Sequence, residues 1–502
     1  MAIIQESIKK IHAQHSQRLQ WLDIVLFLAV IFYIVAGIPL VPYHGDESAY
    51  LILSEDYDHV VIRHDVEKVL FKADGGAKQN LRLSTGSIMA FSIGFARDLT
   101  DNDDVRKRWL WGASWEENIA KGNMPAPSIL YLARFCSAIM GSLGVVLFFF
   151  LVRNISGFRL AAWIATIALA TQGGFLVNIR RAMQEGPKFL FLIMTTYVAS
   201  VLFKRLMQKD IHWPLYFLLG ATSGLTLAAK QDTSPMLVAI YLAIFLTPFW
   251  MKETSDAILV NTLYLGASVF LAYAFFLVFM PVFWGWWEST LVFIGIALIL
   301  FQIPLLKNDW KAKAIALAGT GLIISMMFVS PSLWMKLHTP LVSMLRLREE
   351  LVRVQLAYSA DQNLFDADSL NNRFPFLLKN ILSSQVMYME SPSFDVPPFY
   401  ELINAYEASI LSGRTGSFLW DGIVFFMVLV GGWALLKTLS AEGLFSFSLL
   451  LVTGTMLFFI IPLSWQRYFL ILQMPYLLLA GIGAAQIGHW GMRFGKTPAA
   501  LS

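Results

Sequence analysis

One feature recurs from end to end of this sequence: apolar stretches of about 18 to 25 residues, the length at which an α-helix crosses the hydrocarbon core of a bilayer. "LDIVLFLAVIFYIVAGIPLV" (22–41) is the first of them. The chain is 57% hydrophobic and only 14% charged, where a soluble protein carries roughly 25% charged residues. The fold class is therefore all-α and polytopic. Spans are expected near 21–41, 127–152, 160–177, 187–203, 213–229 and 235–250, then near 257–280, 289–306, 312–332, 419–437, 443–462 and 468–488, twelve in all. No cleavable signal peptide is evident, because "MAIIQESIKKIHAQHSQRLQ" is too polar and too long for the leading segment of one. Ile3, Ile4, Ile8 and Ile11 recur there at helical spacing beside Lys9 and Lys10, a pattern that suits a short helix on the membrane surface.

Orientation follows from lysine and arginine in the short loops. With the N-terminus inside, the inner connections carry Arg153 and Arg159; Lys204, Arg205 and Lys209; Lys252; Lys307, Lys311 and Lys313; Lys437; and Arg493 with Lys496. Two long loops then lie outside, 42–126 and 333–418, too long to be mere connectors. The organisation expected is a transmembrane catalytic module over 1–332 that includes the outer loop 42–126, an extracytoplasmic loop over 333–418, and C-terminal transmembrane helices over 419–502. Within the first loop, "TGSIMAFSIGFARDL" (85–99) reads as an interfacial amphipathic helix.

This topology leaves a few cations on the side where the bias disfavours them. They are Arg180, Arg181 and Lys188 in "NIRRAMQEGPK", Lys230 in "AAKQDTSP" and Arg467 in "PLSWQRYF". A single one could be a snorkelling interfacial side chain. Three such loops at one membrane face point to an anionic ligand, and phosphate suits the bidentate donors of Arg and the point charge of Lys.

Acids gather at the same face. "VPYHGDESAY" (41–50) sets Asp46 and Glu47 side by side where the first span ends, and Glu185 follows the third span. On a helix, neighbours project about 100° apart, so Asp46 and Glu47 cannot both face one reacting atom. A helix start favours acids for its own reasons, and Arg181 with Glu185 could form an ordinary i,i+4 pair. The combination nevertheless suits one reaction. A sugar leaving a lipid phosphate needs cations on that phosphate but no strong general acid, while the acceptor hydroxyl or amine needs a carboxylate base. One base opposite cations predicts direct displacement with inversion, without the paired carboxylates of glycoside hydrolases.

At these residues the chain resembles the GT-C superfamily of membrane glycosyltransferases, and within it the protein O-mannosyltransferase and lipid A aminoarabinose transferase type. "HGDESAY" matches the acidic pair of that family's first outer loop, and "PAPSILYLARFCSAIMGSLGVVLFFFLVRNISG" (125–157) is similar to its second span. "GGFLVNIRRAMQEGPKFLFLIMTTYVA" (173–199), "SGLTLAAKQDTSPML" (223–237) and "PLSWQRYFLILQMPYLLLAG" (462–481) resemble its second acidic site, its Lys-bearing loop and its late Trp-x-Arg-Tyr segment. "MQEGP" departs from the usual wording at the second acidic site. The resemblance implies Asp46 as acceptor-activating base with Glu47 as alternative or helper, Glu185 at the second acidic site, and Lys230, Arg467 and Arg180 or Arg181 on the donor phosphate. It implies a polyprenyl-phosphate sugar donor, a glycan, lipid or protein acceptor, and a site on the outer face of a prokaryotic cytoplasmic membrane. An oligosaccharide ligase on a similar scaffold and a lipid or solute transporter are the alternatives. A transporter should show mid-depth charges on broken helices related by a repeat.

No cofactor or metal is called for. There is no P-loop, dinucleotide fingerprint or nucleic-acid signature, and one cysteine, Cys136, rules out a cysteine cluster. His44 and His64 lie near acids but at no compact zinc spacing. Trp284, Trp286 and Trp287 in "PVFWGWWES" fit an interfacial aromatic belt.

Overall fold

The computed structural model describes residues 21–494, apart from 73–75, 106, 306–317, 320, 322–341, 355–369, 389–393, 439–440 and 462–464. The expected surface helix at the N-terminus and the expected span near 312–332 lie outside the described residues. The chain is an integral, multi-pass, all-α membrane protein. Among the described residues, eight helices are long and apolar enough to cross a bilayer, and three shorter apolar ones accompany them.

Helix α1 spans Trp21–Ala36, and the first outer loop contributes α2 (Asp46–Leu53) and α3 (Ser87–Thr100). Next come α4 (Pro127–Ser156), α5 (Arg159–Ala170), α6 (Gly173–Arg180) and α7 (Glu185–Met207). Then follow α8 (Trp213–Ala229), α9 (Ser234–Trp250), α10 (Ser255–Val278) and α11 (Trp287–Gln302). The C-terminal part holds α12 (Phe418–Thr438), α13 (Ala441–Ile460) and α14 (Gln473–Phe494).

The expected continuous span at 160–177 is broken. "TQGG" ends α5, and the Gln172 side chain accepts from Phe175 N to start α6 on a new axis. Gln172 also bridges to Arg414, the point at which the second outer loop returns to the bundle. A Cβ on Gly173 would overlap the Arg414 carbonyl, so the close approach depends on glycine.

Lipid tails offer no hydrophobic gain between helices, so packing in a membrane rests on close backbone approach at small residues. Helix α7 lies along α4 with Gly186 against the Ser137 carbonyl, and a Cβ there would collide with it. Helix α3 buries Met89, Ala90, Ile93 and Gly94 while Phe95 and Leu99 face outward, which is the amphipathic pattern expected of it. Its preceding residue, Gly86, sits against the carbonyls of Ala228 and Ala229 at the end of α8. That contact fixes the first outer loop directly beside Lys230.

Above the bundle the two outer loops are locked by aromatic rings. Phe394 of the second loop stacks on Trp109 with centroids 5.3 Å apart, and Tyr43, Trp111, Trp115 and Phe399 complete the cluster. His44 stacks on the same Phe394 ring at 6.3 Å. The residues that precede Asp46 are thereby held by both loops.

Candidate active site

Asp46 and Glu47 occupy the first turn of α2, after Gly45, which supplies no side-chain cap. Their side chains diverge as helical geometry requires. Asp46 Oδ2 receives Arg467 Nη1 at 2.7 Å, a contact between residues 421 positions apart. The Asp46 amide donates to His44 Nδ1 at 3.2 Å. Glu47 turns inward to Arg134, whose Nε donates to Oε2 at 2.7 Å and whose Nη2 donates to Oε1 at 2.8 Å. Ala182 N and His44 N donate to the same carboxylate at 2.8 and 2.9 Å. The remaining donors of Arg134 go to the carbonyls of Ile38 and Val41. Glu47 is fully buried, whereas the Asp46 side chain is 29% exposed. Of the adjacent pair, Asp46 is the one an acceptor can reach.

Behind Asp46 lies a cluster of buried charges. Glu185 opens α7 and pairs through Oε1 with Lys230, which ends α8; Lys188, one turn further on, stands 3.9 Å from the same oxygen. Asp232 Oδ2 lies 3.3 Å from Lys188 and 3.4 Å from Lys230. Lys188 Nζ also donates to the Arg467 carbonyl at 3.3 Å. Lys230 and Arg467 flank one ring, each 5.6 Å from the Tyr468 centroid, and Arg467 stacks on Trp465 at 4.9 Å. Three acids and three bases thus share one site where the starts of α2 and α7, the end of α8 and the approach to α14 meet.

Burial alone would push the Asp46 carboxyl up, but the Arg467 guanidinium, with His44 and Lys230 behind it, holds it at about 2 against an ordinary 3.8. Burial likewise opposes the charge on Lys230, yet Asp232 and Glu185 raise its ammonium above the ordinary lysine range. Both groups are charged at neutral pH.

Not every cation singled out in the sequence comes here. Arg180 is buried and donates to the carbonyls of Ile34, Tyr33 and Leu411 and to the Tyr406 hydroxyl. Arg181 donates to the carbonyls of Pro42 and Tyr388 at 3.3 Å. These bonds hold Arg180 on carbonyls of the last turn of α1 and of the second loop, and Arg181 on loop carbonyls, where the sequence reading expected both on the donor phosphate. Glu47 needs the same correction as a candidate base, since four donors already occupy its oxygens. The anticipated Arg181–Glu185 pair gives way to Glu185–Lys230. Conversely, Lys188, Asp232 and Arg134 earn places that the sequence reading did not assign. Their signals were present: an arginine inside an apolar run, a lysine one helical turn from Glu185, and an acid two residues after Lys230.

The fold and the site together define a class, a helical membrane protein with a cluster of paired charges where α2, α7 and α8 meet. Residues 109–287 match the model of the dolichyl-phosphate-mannose-protein mannosyltransferase family. The matched stretch takes in Arg134, Glu185, Lys188, Lys230 and Asp232, and it is similar in kind to the family that the motifs resemble. No curated protein matches the chain significantly in sequence. Among solved structures, a protein O-mannosyltransferase complex of S. cerevisiae bound to the sugar donor is similar at 14% identity and TM-score 0.37, with 56% of this chain and 36% of that one covered. An oligosaccharyltransferase from Archaeoglobus fulgidus tethered with an acceptor peptide gives 12% identity and TM-score 0.49, covering 96% and 51%. ArnT from Cupriavidus metallidurans bound to undecaprenyl phosphate gives 12% and 0.33, covering 95% and 81%. The chain spans about half or less of the length of the yeast and archaeal chains.

Proposed function

We propose that this protein transfers a sugar from a polyprenyl-phosphate-linked donor to an acceptor at the extracytoplasmic face of a prokaryotic cytoplasmic membrane, with inversion at the anomeric carbon. The observation that carries the reading is the 2.7 Å contact of Asp46 with Arg467 beside Lys230, which sets a reachable carboxylate against two cations. In the reaction, Asp46 takes the proton of the acceptor O–H or N–H as that atom attacks the anomeric carbon. The bond from that carbon to the phosphate oxygen breaks, and its electron pair leaves on the polyprenyl phosphate, where Arg467 and Lys230 stabilise the charge. Residues 1–332 supply the base and Lys230, 333–418 form the extracytoplasmic loop, and 419–502 supply Arg467.

A carboxyl held at about 2 is a weak base. The same contact that weakens it supplies the remedy: a phosphate that draws Arg467 onto itself removes the main stabiliser of ionised Asp46 and raises its proton affinity. The base is then strong only when donor is bound. Transfer by the purified full-length protein from a panel of synthetic polyprenyl-phosphate sugars tests this. Asp46→Asn should lower turnover by about 10²-fold or more with donor binding retained. Equal turnover by the two proteins would remove Asp46 from the mechanism.

A further inference from the structure

Glu185 and Asp232 share an unusual arrangement. Each uses one oxygen to hold the pair of ammonium groups, Glu185 through Oε1 and Asp232 through Oδ2, toward both Lys188 and Lys230. The other oxygen of each, Glu185 Oε2 and Asp232 Oδ1, is buried and has no hydrogen-bond partner among the described residues. The two side chains are 0% and 6% exposed. A carboxylate oxygen accepts about two hydrogen bonds, and leaving a buried one unmade is costly, so buried acceptors without donors call for an explanation. Glu47, the residue next to Asp46, shows that this fold can saturate a buried carboxylate where the role is scaffolding.

We infer that Glu185 Oε2 and Asp232 Oδ1 form a recognition subsite for hydroxyl groups of the sugar carried by the donor. The inference rests on the reading of the protein as a polyprenyl-phosphate-sugar transferase and adds the part of the donor that these two acids read. The chemistry is complementary: a sugar presents an array of O–H donors one short step from its phosphate, and the subsite presents acceptors on the two acids that pair with the phosphate-binding Lys230. Lys230 lies against Glu185 in the structure. Its ammonium holds Glu185 Oε1 and Asp232 Oδ2, so moving it to the phosphate releases both carboxylates to turn their other oxygens to the sugar, and phosphate binding and hydroxyl recognition are coupled through one side chain. Lys188, wholly buried on α7 and bonded to the Arg467 carbonyl, stays behind as counter-charge to both acids. Asp232 is thereby a specificity residue and takes no proton in the reaction.

A site built to hydrogen-bond a hydroxyl rejects the analogue that lacks it by large factors, because the acceptor is then left unpaired. The test uses the best donor of the panel together with analogues of it missing one sugar hydroxyl at a time. Both kcat/KM and the donor-induced shift in unfolding temperature are measured. Wild type should discriminate against at least one deoxy analogue by about 10²-fold or more. Asp232→Asn and Glu185→Gln should each shrink that ratio at least tenfold at one hydroxyl position, mainly by losing rate on the parent donor. Because either change leaves Lys188 under-paired, each is also made together with Lys188→Gln, so that a folded protein is in hand. Unchanged ratios at every position in proteins that still transfer would overturn the subsite while leaving the enzyme reading intact. Wild type that neither binds nor turns over any donor would overturn both.

Discussion

Two buried charge clusters lie at the same membrane face and differ in completeness. Around Glu47, one guanidinium and two backbone amides fill the carboxylate, and the spare arginine donors are absorbed by carbonyls. Around Glu185 and Asp232, two ammonium groups are shared between two acids, and one oxygen of each acid is left over. The sequence treats the clusters alike, as acids and bases at helix ends. The difference teaches that a buried ion pair is a framework when its valences are closed and a candidate for ligand chemistry when they are open. A third cluster at the opposite face follows the closed pattern: Asp23 Oδ1 receives Arg159 Nε and Trp163 Nε1, each at 2.8 Å, tying α1 to α5.

The largest way to break the comparison is to open the closed cluster. Arg134→Leu strands Glu47 as an unpaired buried carboxylate, and removing one partner of such a pair costs about 3–5 kcal/mol. Detergent-solubilised protein should show a large fall in unfolding temperature, with a matching loss of folded yield; a fall no greater than that of Lys230→Ala would erase the distinction. Opening the functional cluster should act on binding instead. Lys230→Ala should raise the KM for donor about 10- to 100-fold, the scale of one charge-assisted contact of about 1.5–3 kcal/mol, while Lys230→Arg restores part of it. Gly86→Ala is subtler. Its Cβ meets the carbonyls of Ala228 and Ala229, and overpacking of this kind costs about 1–3 kcal/mol. The expected result is a several-fold loss of donor affinity, because the displaced end of α8 carries Lys230.

The smallest effect is a pH dependence. The Asp46 carboxyl in the folded protein sits at about 2, below its ordinary 3.8, so its contact with Arg467 contributes stability above pH 4 that is lost as pH falls toward 2. The side chain is 29% exposed, and solvent screening limits the contribution to about 1 kcal/mol. Between pH 5 and pH 3 the unfolding temperature of wild type should fall slightly more steeply than that of Asp46→Asn. Parallel curves would mean that the ion pair adds nothing to folding.

Much of the fold was legible because hydrophobic length and lysine-arginine bias are properties of segments. The break between α5 and α6 was written in "TQGG", yet the surrounding apolar run masked it. Of the site, Asp46, Lys230 and Arg467 were readable as charges where the topology disfavours them. Arg180 and Arg181 carried the same signal for another reason: the chain turning at Ile34 and Leu411 exposes carbonyls that need donors. A charge on the disfavoured side reveals that something must compensate it, and only three-dimensional structure tells whether that is a ligand or the backbone. Asp232 was hidden by its ordinary appearance as part of a turn, whereas Lys188 was visible as a cation on the disfavoured side but without its acid partners.

Arg467 reaches Asp46 from the opposite end of the polypeptide. During biosynthesis the base is therefore threaded into the membrane long before its counter-ion has been translated. Until the segment after residue 418 is in place, Asp46 stands without the guanidinium that holds its charge, so the ion pair is among the last contacts of the fold to form.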